Sequence, residues 1–192
     1  MATHLVIGDP HCTPSASNER FTWAGRMARD IKADKVICMG DFASMESLSS
    51  WDRGKKSFDD LQYPEYGWNT YTYRYPLIID GIHYSHNFPS GLMGSPISGE
   101  NVARTLLNKN KVSSTVGHCH LLDYAVSAYP SGKKIMGLSA GCYLTHKESY
   151  AYNTQRLWWS GLIVKRNVKG GEYDIEMVNS KEVKKRYGRP SK

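Results

Sequence analysis

The stretch Gly117-His118-Cys119-His120 constrains this chain more than any other. A glycine followed by two histidines one residue apart, at the end of a short β-like run, aims two imidazoles at one point. A metal ion is a common object of such a pair. Three earlier segments carry residues of matching chemistry: Asp9-Pro10-His11, Gly40-Asp41 and Ser85-His86. Each follows a strand-like run, so all four are expected at strand ends, where sites gather in α/β folds.

With 192 residues, 40% hydrophobic, the length favours a single domain able to bury a core unaided. The reading is one domain over residues 1–180, followed by a basic, flexible tail over 181–192. That tail holds six basic residues and one acid, so it carries +5 of the net charge of +7. Such a run reads either as a solvated tail or as a nucleic-acid contact. No run is long and apolar enough for a membrane span, and the first residues enter a strand without a signal-like segment. The four cysteines are scattered, with no C-x-x-C pair, which argues against a disulfide framework or a zinc cluster. The expected location is the cytoplasm, with no membrane partner.

Along the chain, His4-Leu5-Val6-Ile7-Gly8 reads as a strand that must stop at Pro10. Residues 17–33 read as a helix with Phe21, Ala24, Met27, Ala28 and Ile31 on one face, capped by Ser15 or Ser17. Residues 35–39 read as a second, buried strand, which completes a parallel β-α-β unit. Residues 44–51 suggest a helical turn and 53–56 a polar loop. Asp80-Gly81 between two apolar arms is a hairpin signature of the type I′ turn. Residues 100–108 read as a helix capped by Ser98. A strand over 111–116 then leads to Gly117-His118. Two further hairpins are expected, 121–128 with 133–138 and 161–168 with 172–178.

Asp9, His11, Asp41, His86, His118 and His120 form a mixed nitrogen and oxygen donor set, suited to Mn, Fe, Zn or Ni. Two such metals sharing a carboxylate can deprotonate a water and clamp a phosphoryl oxygen. His83 in the same strand as His86 points to the opposite face and is set aside. His4 and His146 are unassigned, Cys12 and Cys119 read as packed small side chains, and Trp158-Trp159 as core or hairpin packing.

The ordered set Asp-x-His, Gly-Asp, Ser-His, Gly-His-x-His resembles the calcineurin-like metallophosphoesterase superfamily, over roughly residues 4–145. The context Tyr84-Ser85-His86-Asn87-Phe88-Pro89-Ser90-Gly91 is similar to its small phage and bacterial members. The resemblance implies an α/β fold, a four-layer α/β/β/α sandwich of two mixed sheets. It implies hydrolysis of a phosphodiester or phosphomonoester, a nucleotide or nucleic acid above all, by a hydroxide shared between two divalent metals. Asp9, His11 and His120 would hold the first metal, His86 and His118 the second, and Asp41 would bridge them. Asp41, His86 and His118 are therefore the residues expected to carry catalysis.

One family motif is missing. No Asn-His pair occurs between Phe42 and Ser85, where a Gly-Asn-His-Asp/Glu motif completes the second metal site and protonates the leaving group. The simplest account is an internal deletion between about residues 58 and 66. The second site would then be one ligand short, and Asn87, His146 or solvent would have to supply the proton. A second reading follows: a catalytically impaired relic that binds metal or nucleic acid.

Overall fold

The computed structural model describes residues 1–13, 16–41, 69–71, 75–148, 151 and 153–188. The helical turn, the polar loop and the deletion expected between residues 44 and 66 lie outside these. Two mixed sheets organise the chain. The first has the order β2-β1-β8-β9, built from β1 (Ala2–Ile7), β2 (Lys35–Cys38), β8 (Gly161–Lys169) and β9 (Glu172–Asn179). The second has the order β3-β4-β5-β7-β6, built from β3 (Leu77–Ile79), β4 (Ile82–Ser85), β5 (Ser114–Val116), β6 (Leu122–Ala128) and β7 (Lys134–Ala140). β1 and β2 are parallel, as are β4, β5 and β7, while the hairpin partners run antiparallel. The coarse α/β expectation thus holds, with two mixed sheets and three α-helices among the described residues.

Side-chain alternation decides what each sheet face covers. Along β1, Val6 faces the second sheet, while Leu5 and Ile7 face the helices. β8 follows the same rule, with Ile163 inward and Leu162 and Val164 outward. Between the sheets, Val6, Ile37 and Ile163 meet Ile82, Tyr84, Met136 and Leu138. Helices α1 (Glu19–Asp30) and α3 (Ser180–Tyr187) cover the outer face of the first sheet through Trp23, Met27 and Val183. Helix α2 (Val102–Asn110) covers the second sheet, burying Val102 and Leu106 against Val116, Phe88 and Ile97.

Lys165 shares the inward face of β8 and is fully buried. Its side-chain nitrogen donates to Thr115 Oγ1 at 2.5 Å and to Tyr84 Oη at 3.3 Å, and lies 4.5 Å from the ring centres of both Tyr84 and Tyr173. No carboxylate among the described residues stands at ion-pair distance from it. Tyr84 Oη continues the network to His4 Nδ1 at 2.8 Å, and His4 Nε2 reaches Asp80 at 2.9 Å.

The hairpin at Asp80-Gly81 forms as expected, with φ of 50° and 84° and the register Ile79↔Ile82. Four local expectations need correction. Helix α1 is shorter than expected at both ends; Ala24 and Met27 are buried on the expected stripe, but Arg20 and Trp23 are buried beside them while Phe21 is only partly buried. Strand β2 is an edge strand among the described residues, with Lys35 and Val36 exposed rather than buried. Ser98 does not cap α2, which starts after Asn101. The Asp123 carboxylate on β6 instead accepts the Ala103 N–H at 2.8 Å. The segment expected to begin a flexible tail is helix α3. Asn179 caps it, Val183 is fully buried, and Tyr187 Oη donates to Asp30 at 2.7 Å. Two apolar residues four apart suffice to dock one helical turn even within a basic run.

Candidate metal centre

The six expected ligands come from the carboxyl ends of parallel strands in both sheets: Asp9 and His11 after β1, Asp41 after β2, His86 after β4, and His118 and His120 after β5. Backbone hydrogen bonds tie these loops together. His11 N–H donates to Asp41 O at 2.9 Å, Gly117 N–H to His86 O at 3.2 Å, and Tyr143 N–H to Asp9 O at 3.0 Å. The His118 N–H donates to Asp9 Oδ2 at 2.5 Å, which fastens one sheet's loop to the other sheet's carboxylate.

Local backbone chemistry explains the motif residues. Four of the six ligands have a left-handed backbone: His11 (φ 42°), Asp41 (38°), His118 (61°) and His120 (56°). Each such residue costs roughly 1–2 kcal/mol and persists only where its surroundings over-determine it. Gly40 and Gly117 are needed for space. A Cβ on Gly40 would stand 2.7 Å from His86 Nδ1, and one on Gly117 would collide with Asp9 Oδ1.

The side chains form two groups. In the first, Asp9, His11 and His120 present ligand atoms within 4.8 Å of one another, and in the second Asp9, Asp41 and His86 do. His11 Nε2 and His120 Nε2 face each other at 3.1 Å, and His120 Nε2 lies 3.4 Å from Asp9 Oδ2. His86 Nδ1 lies 3.5 Å from Asp9 Oδ1, and His86 Nε2 lies 3.5 Å from Asp41 Oδ2. The shared carboxylate is therefore Asp9, whereas Asp41, expected to bridge, belongs to the second group and approaches His11 only to 3.9 Å. His118 stands at the exposed edge. Its Nδ1 is 3.3 Å from His86 Nε2, and it falls outside both groups.

Asp9 is wholly buried, and its Oδ1 has no hydrogen-bond partner, nor has the facing His86 Nδ1. Burial alone would push the Asp9 carboxyl up, but the imidazoles of His120 and His86 outweigh it and hold the carboxyl below its ordinary value. Burial, aided by the neighbouring His120, lowers His11, and burial aided by His86 lowers His118. Burial also works against the charged form of His86, but Asp9 and Asp41 beside it raise its pKa on balance. At neutral pH the site thus offers an ionised Asp9 and neutral imidazoles at His11 and His118, the forms that bind metal.

The remaining sequence candidates fall outside the two groups. Cys119 donates its thiol to Ile97 O at 3.3 Å, and burial pushes its pKa up to about 11. Burial also raises the Cys12 thiol. Asn87 accepts from Ser85 Oγ through its backbone oxygen, and His146 Nε2 binds Glu148 at 2.8 Å. Sequence reasoning missed three neighbours of the centre. Trp158 sits edge-on to His120 with ring centres 4.1 Å apart, while Trp159 packs against the core. Glu148 is buried, and its negative charge acts on His11. Arg20 reaches back beneath the His11 loop. A tandem of tryptophans is the only one of these with a visible sequence signal.

Comparison with protein-family models, with curated proteins and with solved structures finds no match to this chain. No helix among the described residues is long and apolar enough to cross a membrane.

Proposed function

We propose that this chain is a metal-dependent phosphoesterase, with phosphodiesters and phosphomonoesters of nucleotides or nucleic acids as its substrate class. Asp9 carries the reading. It is a buried carboxylate with one oxygen lacking a hydrogen bond, placed where two His/Asp groups meet. A buried anion so placed is costly unless it is paired or coordinates a cation. The donor set fits two divalent ions of the Mn, Fe, Zn or Ni type. The helices packed outside two facing mixed sheets support a four-layer α/β/β/α sandwich. The four motifs are similar to those of the calcineurin-like metallophosphoesterases.

When bound, the cations would supply positive charge to a phosphoryl oxygen and lower the pKa of a water. Asp9, His11 and His120 would hold one, and Asp9, Asp41 and His86 the other. His118 anchors the Asp9 carboxylate through its backbone N–H and presents its imidazole at the solvent edge, where a phosphate ester arrives. Lys181, Lys184, Lys185 and Arg186 are exposed on α3 and support a contact with nucleic acid. All four cysteines are free thiols, which supports a reducing, cytoplasmic setting.

Hydrolysis of bis(p-nitrophenyl) phosphate with Mn²⁺ tests the reading. Asp9→Asn and Asp41→Ala should each lower kcat/KM by at least about 10²-fold. Hydrolysis unchanged in Asp41→Ala refutes it.

A further inference from the structure

His11 lies beyond the end of β1, yet it sits in a left-handed conformation within the first His/Asp group. The hydrogen-bond pattern shows what fixes it. Arg20, the second residue of α1, is fully buried and reaches backward from the helix. Its Nη2 donates to Pro10 O at 2.9 Å and its Nη1 to Ser17 O at 2.7 Å, with Cys12 Sγ 3.8 Å from Nη2. The two carbonyls stand on either side of His11 in the chain, so one planar guanidinium spans the loop. The Pro10 carbonyl belongs to the peptide unit that ends at the His11 nitrogen. That unit is gripped on both sides, its oxygen by Arg20 and its N–H by Asp41 O at 2.9 Å. Gripping this plane restrains rotation about the His11 N–Cα bond, the φ torsion.

The Arg20 backbone is held too. Its carbonyl accepts from Tyr143 Oη at 2.9 Å, and the Tyr143 N–H donates to Asp9 O at 3.0 Å. A series of hydrogen bonds therefore links the Pro10–His11 peptide, through Arg20 and Tyr143, to the Asp9 backbone, and His11 and Asp9 belong to the same group. No carboxylate among the described residues forms an ion pair with Arg20, and its Nε is buried without a partner. A buried cation lacking an ion-pair partner is a poor stabiliser. Its two charge-assisted bonds to carbonyls are a geometric device, which a lysine's single nitrogen does not reproduce.

We infer that Arg20 is a positioning residue for the proposed metal centre, setting the His11 imidazole for the group Asp9, His11 and His120. This rests on the metal reading of the site. The test is calorimetric titration of metal-free protein with Co²⁺, together with the visible absorption of bound Co²⁺. Wild type, Arg20→Met, Arg20→Lys, His11→Ala and the double variant Arg20→Met/His11→Ala are compared. Arg20→Met should weaken one of two binding events by about 10–100-fold, the event that His11→Ala also weakens, and should shift its Co²⁺ spectrum. The double variant should lose no more affinity than His11→Ala alone, because both changes act on one ligand. Arg20→Lys should fall between wild type and Arg20→Met, and it carries the test should Arg20→Met not fold. Lower thermal stability with both binding events and spectra intact overturns the assignment. Absence of any binding by wild type instead overturns the metal reading beneath it.

Discussion

Gly117→Ala places one methyl group against the carboxylate on which both His/Asp groups depend. The added Cβ would overlap Asp9 Oδ1, stand 3.2 Å from Asp9 Cγ, and press on Met39 Cβ at 3.0 Å. Asp9 has nowhere to retreat. It is wholly buried, with His86 on one oxygen, His120 on the other and the His118 N–H donating to it. Relief requires a movement of about 1 Å in the carboxylate or the 117 backbone, and overpacking of this kind costs roughly 1–3 kcal/mol. In a domain of this size that lowers Tm by about 2–12 °C, taking roughly 2–4 °C per kcal/mol. The same movement misplaces a ligand of both groups, so metal affinity should fall about 10–100-fold in both binding events. Thermal unfolding of the metal-free protein and a Co²⁺ titration read the two effects separately. A Gly117→Ala protein that keeps both affinities refutes the claim that this glycine exists to clear space for Asp9.

Three other outcomes are expected. Burial holds Lys165 well below its ordinary pKa of 10.5, so from that folded value up to about 10.5 the unfolded chain binds the extra proton and stability rises with pH. The slope approaches about 1.4 kcal/mol per pH unit. Urea unfolding between pH 7 and 8, below the range where the buried cysteines, Tyr84 and Tyr173 contribute the opposite trend, should show a steeper rise in wild type than in Lys165→Met. An unchanged slope in Lys165→Met would be contrary. Metal binding at His120 should change the fluorescence of Trp158, and Trp158→Phe should abolish most of that change while leaving the calorimetric signal. A full response in Trp158→Phe counts against the edge-on contact as its source. Gly25 lies on the exposed side of α1 with nothing within 4 Å of an added Cβ, so Gly25→Ala should stabilise by about 0.5–1 kcal/mol in denaturant unfolding.

The centre was more legible in the sequence than its supports. Each ligand motif announces itself because a strand must end where Gly, Pro or Asp takes over, and the Asp80-Gly81 turn is dictated by the backbone of its two residues. Arg20 gave no such notice. An arginine in the first turn of a helix reads as solvent-facing, and its partners here are carbonyl oxygens, which every residue possesses. Helix α3 was hidden for a related reason: its anchors are Val183 and Tyr187, two residues in a run whose charge dominates any pattern. Asp9, the carboxylate common to both groups, and Asp41, the residue expected to bridge, differ in depth. Asp9 is wholly buried between the sheets with histidines on both oxygens, whereas the Asp41 side chain is nearly half exposed.

Because one carboxylate serves both groups, the two positions share a thermodynamic fate. Whatever fixes the orientation of Asp9 on the His120 side also sets the oxygen offered on the His86 side, and the reverse holds with equal size. On the proposed reading, an ion in either position would therefore change the affinity of the other, through pairing of the Asp9 oxygen that lacks a hydrogen bond in one direction and mutual repulsion of like charges in the other. The order in which two ions entered would then be a property of the pair, and neither site would have an affinity that could be quoted alone.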